Sequence, residues 1–360
     1  MRSNTSVKMF CVLLSLLLLS GCIPRSIVDE VSLMHNVGFD REKGMIKASV
    51  IFPNYTEINK PTLITAYAKN TSSLKGKLAA KIQSHLEMGQ VRVMLLSEKL
   101  SKSGISQLLD SVCKDPKIGV IRIAVSRGSL DKILETSLKE SPVYLKNLID
   151  NSIENGGIPN IDLHTMFDQH YGSGIDMYFP TLNLDPKGKI FVDGIAIFKK
   201  DKFQYMISDK EALLLKFMSD RNKNGKYEFN LNMNGHKTNF GFETLYGNHN
   251  KHIIRNKNIE KVKLNLVLNI RIEELPEWID LQNKSDFNSL RNNIQYSISR
   301  EAEQLLESFQ KNKVDPLGIG RIYRIKQKGW TENNFYQNIY PKLNFEVQTK
   351  IIFRQVGVGK

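Results

Sequence analysis

The sequence predicts a mixed α/β fold whose character changes along the chain. Its 360 residues are enough for two or three domains, and 41% hydrophobic with 24% charged residues is typical of a globular protein. In the first half, short apolar strands alternate with amphipathic helices, as in a sheet covered by helices. In the last third, a long amphipathic helix separates two strands of alternating polarity, which predicts a helix packed on an antiparallel sheet.

The first 21 residues have the features of an export signal. Arg2 and Lys8 precede an apolar run from Met9 to Leu19. A helix of this length rises only about 16 Å, which is too short for the ~30 Å hydrocarbon core of a bilayer. We therefore expect residues 1–21 to be a signal peptide and the remaining chain to be exported.

A cysteine follows this run directly, in the sequence Leu19-Ser20-Gly21-Cys22. These four residues resemble the bacterial lipobox, in which a lipoprotein signal peptidase leaves the cysteine at the new N-terminus. The resemblance implies a covalent diacylglycerol on Cys22, whose two acyl chains would hold the protein on a lipid bilayer. The alternatives are an ordinary secretory signal with a chance cysteine and an uncleaved anchor. We expect no other cofactor.

The chain contains three cysteines in all. Cys11 would leave with the signal peptide and Cys22 would carry lipid, so no intrachain disulfide could form in the mature protein. The third, Cys113, follows apolar residues in a helical pattern. It is expected to be a small buried apolar side chain and not a reactive thiol.

Residues 22–157 are expected to form an N-terminal α/β domain. Short apolar runs bounded by polar residues predict strands at 31–37, 45–52, 91–96 and 120–125. Helical patterns predict helices at 74–86, 104–113, 130–138 and 142–153. Pro142 fits the first turn of the last of these helices, where its missing N–H costs nothing.

Residues 158–220 are expected to form a middle module, either separate or packed with the first domain. A helix is predicted at 162–170 and a hairpin at 189–198 and 203–207. Ser208 is expected to cap a further helix, with Glu211 in its first turn.

Residues 221–360 are expected to form a C-terminal α+β domain. Strict alternation of apolar and polar residues predicts strands at 262–272 and 343–353. Between them, apolar residues recur at spacings of three and four, which predicts one helix about 40 Å long. Its apolar positions are Phe287, Leu290, Ile294, Ile298, Ala302, Leu305 and Phe309.

The net charge of the chain is +14, and it is +12 without residues 1–21, whose charges are Arg2 and Lys8. Such an excess favours an anionic surface, either a lipid leaflet or a nucleic acid. At this modest density, however, a lysine-rich solvated surface is the favoured explanation of the charge. We expect no nucleic-acid partner.

Several short motifs partly resemble known sites for chemistry. Residues 220–225 imitate the start of a calcium loop, but Leu231 stands where the bidentate Glu belongs, so Asn224-Gly225 is better explained as a hairpin turn. His249 and His252 have no neighbouring ligands for a metal. The spacing of Gly172-Ser173-Gly174 does not match a nucleophile elbow. We therefore expect no catalytic residue, no metal and no enzymatic activity.

A block near residue 315 is the most distinctive motif. It comprises Asp315, Pro316, Leu317, Gly318 and Gly320. The proline cannot continue the preceding helix, and the glycines permit positive φ or close backbone approach. The block is therefore expected to be a tight helix-to-sheet connection, with contact to a partner as the alternative. Trp330 is expected either to cover the edge of the core or to anchor a partner.

Together these segments resemble the Ger(x)C family, the lipoprotein C subunits of nutrient germinant receptors of bacterial endospores. The segments that carry the resemblance are the lipobox and residues 31–40, 93–100, 121–125, 133–135, 142–145, 174–180, 192–198 and 313–320. The chain departs from many members at Ile23-Pro24-Arg25-Ser26, just after Cys22, where a Trp-Asp sequence is usual.

The resemblance implies about three consecutive domains, each a β-sheet flanked by helices. It also implies attachment to the outer face of the inner spore membrane, beside the integral membrane subunits A and B. The implied role is non-enzymatic, in a receptor complex that detects nutrients and ends dormancy. The rival interpretation is a solute-binding lipoprotein that delivers a small ligand to a transporter, which would need two similar lobes around a cleft.

Overall fold

The computed structural model describes nine stretches of the chain, namely residues 31–54, 60–82, 85–87, 91–114, 119–220, 224–233, 235–256, 259–272 and 275–356. The predicted signal peptide, the lipobox and Cys22 lie outside them. So does the side chain of Cys113, whose backbone belongs to a helix.

An eight-stranded mixed sheet dominates the first 207 residues. Its strands, in chain order, are β2 (Asn36–Glu42), β3 (Met45–Asn54), β4 (Lys60–Ala68), β6 (Val93–Ser97), β7 (Arg122–Ser126), β8 (Tyr178–Leu184), β9 (Ile190–Lys199) and β10 (Lys202–Ile207). The spatial order is β10-β9-β8-β7-β6-β2-β3-β4. The four central strands are parallel, and antiparallel hairpins form both flanks. A parallel pair of short strands, β1 (Val31–Leu33) and β5 (His85–Glu87), lies beside it.

Helices cover both faces of this sheet. They are α1 (Ser72–Ala79), α2 (Glu98–Ser103), α3 (Ser106–Lys114), α4 (Leu130–Ser137), α5 (Tyr144–Glu154), α6 (Leu163–Tyr171) and α7 (Asp209–Ser219). Because both faces are covered, every residue of the central strand β6 is buried, as is usual for parallel strands. Leu95 faces one apolar cluster and Leu96 the other. Ser208 and Glu211 form a full capping box at the start of α7.

The local sequence pattern predicted the extent of one of these helices wrongly. The pattern predicted a helix over residues 74–86, but α1 ends at Ala79 and β5 begins at His85. β5 is a strand because it pairs with β1, about fifty residues earlier in the chain, and such a partner is invisible to a local pattern.

The middle segment, residues 158–220, continues the first sheet. Its strands β8 to β10 follow β7 directly in the spatial order. The predicted hairpin is present as β9 and β10, with Lys200 in the turn at a φ of 56°. This part of the chain therefore packs with the N-terminal strands in a single sheet.

The last third forms a four-stranded sheet in the order β11-β12-β13-β14. Its elements are β11 (Lys226–Met233), β12 (His236–Asn256), β13 (Ile259–Ile272), α8 (Lys284–Lys311), α9 (Ile319–Lys326), α10 (Glu332–Asn334), a π-helical turn (Phe335–Ile339), a 3₁₀ turn (Tyr340–Lys342) and β14 (Asn344–Val356). As predicted, one long helix buries a stripe of apolar residues, namely Leu290, Ile294, Ile298, Ala302, Leu305 and Phe309. The mixed fold class, with a helix on a sheet in the last part, is confirmed.

Two local features of this sheet differ from expectation. The pair β13–β14 is parallel and not antiparallel, because α8 carries the chain back along the sheet before β14 begins. The hairpin turn lies between Met233 and His236, whereas Asn224-Gly225 precedes β11. Asn224 has a φ of 58°, and its side chain donates to Glu154 O at 2.8 Å, so the dipeptide joins β11 to α5.

Side chains of α8 cap the outer edge of β14. Three outward-facing N–H groups of the strand, those of Val347, Thr349 and Ile351, donate to Glu303 Oε1 at 2.9 Å, Ser299 Oγ at 3.1 Å and Gln295 Oε1 at 3.0 Å. The three acceptors are spaced four residues apart and so share one face of the helix. They block the edge against addition of a further strand.

We expect the triple variant Gln295→Ala, Ser299→Ala, Glu303→Ala to self-associate, because each substitution frees one backbone donor of an edge strand. Light scattering against protein concentration measures this. A control triple at other α8 positions, Asn292→Ala, Ser297→Ala and Glu307→Ala, should stay as dispersed as the wild type. Equal scattering by both triples would contradict the capping role.

Candidate functional site

The block at residue 315 lies where the two large sheets meet. Five residues there form what we call the junction cluster, namely Asp176, Lys199, Lys251, Asp315 and Tyr336. They come from the loop before β8, the end of β9, β12, the α8–α9 connection and the π-helical turn. Side chains from both sheets therefore meet in one buried place.

Asp315 caps the first turn of α9 from within the core. This residue is only 1% exposed, and its carboxylate accepts from Ile319 N at 2.9 Å and Gly320 N at 2.8 Å. Gly318 stands at the N-cap with left-handed backbone angles and offers no side chain for this purpose. The chain therefore passes from helix to helix here, and the predicted helix-to-sheet connection is wrong.

Asp315 and Asp176 hold the two parts of the chain together through one backbone–backbone hydrogen bond and one bond from the Asp315 backbone to the Asp176 carboxylate. Asp176 N donates to Asp315 O at 3.0 Å, and Asp315 N donates to Asp176 Oδ2 at 2.7 Å. Lys199 Nζ lies 3.0 Å from the same Oδ2 atom and 3.3 Å from the centre of the Tyr336 ring. Lys199 thus compensates the Asp176 carboxylate and stacks on an aromatic face.

Burial sets the protonation of this cluster. Burial raises the pKa of Asp315 to about 6, although the N–H groups of Gly320 and Ile319 oppose the shift. Burial also raises the pKa of Asp176, against the attraction of Lys199. Burial lowers the pKa of Lys251 to about 8, and its Nζ donates to Leu317 O at 2.9 Å. In each case removal from water disfavours the charged form of the side chain.

Two glycines allow the backbones to approach at the junction. Gly174, with a φ of 79°, accepts from Arg321 N at 2.8 Å. A Cβ on Gly174 would lie 2.5 Å from Arg321 N, and a Cβ on Gly320 would lie 2.9 Å from the Gly174 Cα. The second glycine of the block is thus required because another backbone packs directly on it.

Further contacts on α9 and its neighbours strengthen this interface. Arg321 Nη1 lies 2.6 Å from Asp168 Oδ2 on α6, and Gly174 N donates to Glu332 Oε1 at 3.2 Å. Tyr340 donates its hydroxyl to Val314 O at 2.7 Å. Trp330 is half-buried, with its ring centre 6.2 Å from that of Phe335.

The structure brings together the block residues Asp315, Gly318 and Gly320, with Pro316 and Leu317 buried beside them. Sequence reasoning missed Asp176, Lys199, Lys251 and Tyr336 as members of the cluster. A signal existed for Asp176, a carboxylate between Ile175 and Met177 directly before a buried strand. Lys199, Lys251 and Tyr336 lie among other polar residues in the sequence, so no local signal predicts their role.

Two other sequence candidates, His249 and His252, lie on β12 with Lys251 but are not part of the junction cluster. His249 Nδ1 is 3.1 Å from Asp220 O, and burial lowers the pKa of this histidine. His252 lies further along β12, is exposed, and belongs to no group of possible metal ligands among the described residues. Over the described residues, no group of three or more His, Cys, Asp or Glu side chains is placed to hold a metal ion. Both junction carboxylates accept hydrogen bonds from backbone N–H groups, and Asp176 also pairs with Lys199. These contacts stabilise the fold.

Comparison with known proteins places the chain among germination proteins. Residues 24–184 match the family model described as the spore germination protein N-terminal domain, and residues 193–357 match the spore germination B3/GerAC-like C-terminal model. The chain belongs to the Ger(x)C family. The first Ger(x)C match ends with β8 at Leu184 and the second begins at Asp193 within β9, so the family boundary falls inside the eight-stranded sheet.

Individual Ger(x)C relatives align with this chain over nearly its whole length. The chain is 25% identical over 355 residues to the spore germination protein GerQC of Bacillus cereus, covering 94% of this chain and 96% of that one. It is 21% identical over 390 residues to the putative spore germination protein YfkR of Bacillus subtilis (strain 168), covering 99% and 98%. The crystal structure of the GerBC protein matches with a TM-score of 0.59 at 16% identity, over 88% of this chain and 96% of GerBC. The last likeness shows a shared fold.

The two sheets of this Ger(x)C chain differ from each other in strand number and order. Over the described residues, the chain thus lacks the two similar lobes that a solute-binding lipoprotein closes around its ligand. In the same part of the chain, no helix is long and apolar enough to span a bilayer.

Proposed function

We propose that the chain is the lipid-anchored C subunit of a nutrient germinant receptor, held on the outer face of the inner spore membrane beside the integral subunits A and B. The observation that carries the proposal is the ordered match of both germination family models over residues 24–184 and 193–357. The first match begins two residues after Cys22, so the lipobox directly precedes the family's own domain.

The proposed role is binding and not turnover. The buried carboxylates of the junction cluster are engaged as backbone caps and ion-pair partners, which suits a rigid docking body. A diacylglycerol on Cys22 would confine that body to the plane of the membrane. Confinement raises its effective concentration for membrane partners, so a modest protein interface would suffice for assembly.

Deletion of the gene tests the receptor assignment. We expect spores that lack this chain to lose the germination response to at least one nutrient, measured as the fall in optical density after nutrient addition. Spores of the deletion strain that carry the gene again should recover the response. An unchanged response to every nutrient, in a strain that lacks other receptors, would contradict the proposal.

The anchor has its own test in Cys22→Ala. We expect the variant to leave the membrane fraction, because two acyl chains contribute about 0.8 kcal/mol per buried methylene and the variant has none. The matched control is Cys11→Ala, which lies inside the predicted signal and should remain membrane-bound. Immunoblots of membrane and supernatant fractions give the result. Retention of Cys22→Ala in the membrane would refute the lipid anchor as the sole attachment.

A further inference from the structure

The end of α9 presents an unusual exposed surface. Residues 324–330, which we call the basic tip, carry three exposed cations, Arg324, Lys326 and Lys328, and no Asp or Glu. Among the described residues, none of the three has an ion-pair partner. Ile325 lies between them and is 78% exposed, more than any other large hydrophobic residue described. An exposed apolar side chain with cations as its neighbours in the sequence is typical of an interfacial lipid contact.

The basic tip is rigidly held. The helix behind it is capped by Asp315 and fastened to Gly174 through Arg321 N at 2.8 Å. Tyr323, two residues before Ile325 in the same helix, is fully buried. Because α9 is short, the tip begins only about 5 Å along the helix from the Arg321 contact. Ile325 is therefore exposed by the architecture of the junction and not by a loose chain end.

Topology places the basic tip at the end of the molecule where the N-terminal chain arrives. Asn36 is level with Val93, and Val93 with Arg122, so β2, β6 and β7 begin at one edge of the first sheet. β8 is parallel to β7 and begins at the same edge. β1 immediately precedes β2 there, and Gly174, which contacts α9, lies just before β8.

The lengths involved allow the anchor and the tip to reach one membrane together. Three strand spacings separate β2 from β8, about 14 Å at ~4.8 Å each. Cys22 lies nine residues before Val31, and a segment of this length spans at most about 30 Å. Val120, directly before β7 at this same edge, is 71% exposed. A second apolar side chain thus stands at the edge that the anchor approaches.

We propose that the basic tip docks on the anionic lipid surface of the membrane that holds the anchor, with Ile325 inserted at the headgroup boundary. The proposal rests on the proposed lipid attachment and adds a second, protein-borne contact. Two contacts fix the orientation of the domain, whereas a lipid chain alone leaves it free to rotate. Each cation near an anionic leaflet strengthens binding about fivefold, so the three act together about a hundredfold.

Tryptophan quenching by brominated lipid tests this docking. The lipidated full-length chain with Ile325→Trp is placed in phosphatidylglycerol vesicles that carry bromine on the acyl carbons nearest the headgroup. The matched control is Tyr296→Trp on α8, whose parent side chain is 70% exposed. Emission is compared with that of the parent chain, which contains Trp278 and Trp330.

We expect the emission added by Ile325→Trp to be quenched and shifted to shorter wavelength, whereas the emission added by Tyr296→Trp should be neither quenched nor shifted. Quenching should vanish in brominated phosphatidylcholine vesicles, in high salt, and when Ile325→Trp is combined with Arg324→Gln, Lys326→Gln and Lys328→Gln, because charge attraction is then removed. Equal quenching in the Ile325→Trp and Tyr296→Trp chains, or equal quenching in neutral vesicles, would overturn the proposal. No quenching in a protein that still floats with the vesicles would also overturn it, would point to an acidic protein as the partner of the tip, and would leave the Cys22 anchor standing.

Discussion

Gly174→Ala should lower the free energy of unfolding by about 3–5 kcal/mol, among the largest losses available to a single methyl group here. The new Cβ would lie 2.5 Å from both Arg321 N and the carbonyl carbon of Gly320, which are backbone atoms that cannot rotate away. The φ of 79° adds strain for any residue with a Cβ. Denaturant unfolding of the full chain measures the loss.

Gly188→Ala separates the two causes. Gly188 has a φ of 80°, but a Cβ there would meet nothing within 4 Å. This variant should lose only about 1 kcal/mol, the strain of the backbone angle alone. Gly320→Ala provides the reverse case, with a close approach of 2.9 Å to the Gly174 Cα and an ordinary helical backbone. Equal losses for Gly174→Ala and Gly188→Ala would show that the two backbones do not pack as described.

Periodic patterns were the reliable part of the sequence. The alternation at residues 262–272 predicted β13 because one of its faces is buried and the other is not. The stripe on α8 was equally clear, since a helix of 28 residues repeats its pattern many times. In both elements the local pattern of apolar residues shows which face is buried, so the prediction did not require knowledge of a distant partner.

Pairing between distant segments was the unreliable part. β5 required β1, and the direction of β14 required the path of α8. The block at residue 315 is distinctive in the sequence, but its glycine at 320 is explained by Gly174, 146 residues earlier. A carboxylate that caps a helix from inside the core cannot be told from a surface aspartate by composition alone. Such contacts are properties of the assembled fold.

Asp315 should make stability depend on pH in a direction opposite to that of an ordinary salt-bridged carboxylate. Its pKa is raised to about 6 from 3.8, so the folded chain binds the proton more tightly than the unfolded chain. The stabilisation is therefore complete below about pH 4 and is lost as the pH rises through about 6. The whole loss amounts to about 3 kcal/mol at ~1.36 kcal/mol per pH unit.

Asp315→Asn removes the titrating carboxyl group and therefore tests this pH dependence. The free energy of unfolding of the wild type, minus that of Asp315→Asn, should fall by about 2 kcal/mol between roughly pH 4 and pH 6.5, which is most of the whole loss. Subtraction cancels the titrating carboxylates that lie away from Asp315, such as Asp150, whose pKa is lowered by its hydrogen bonds to Lys146 and Arg122 despite burial. A difference that stays constant or rises over this range would contradict a buried, proton-binding Asp315.

Asp315→Ala distinguishes the charge from the cap. Alanine carries no acceptor, so the N–H groups of Ile319 and Gly320 would both be buried without a partner, at about 1–3 kcal/mol each. Asparagine keeps one acceptor oxygen. We therefore expect Asp315→Ala to unfold more readily than Asp315→Asn by about 2 kcal/mol at every pH, with no further pH dependence between the two. If the two variants were equally stable, α9 would not depend on Asp315 for its cap, and the rigid presentation of the basic tip would need another source.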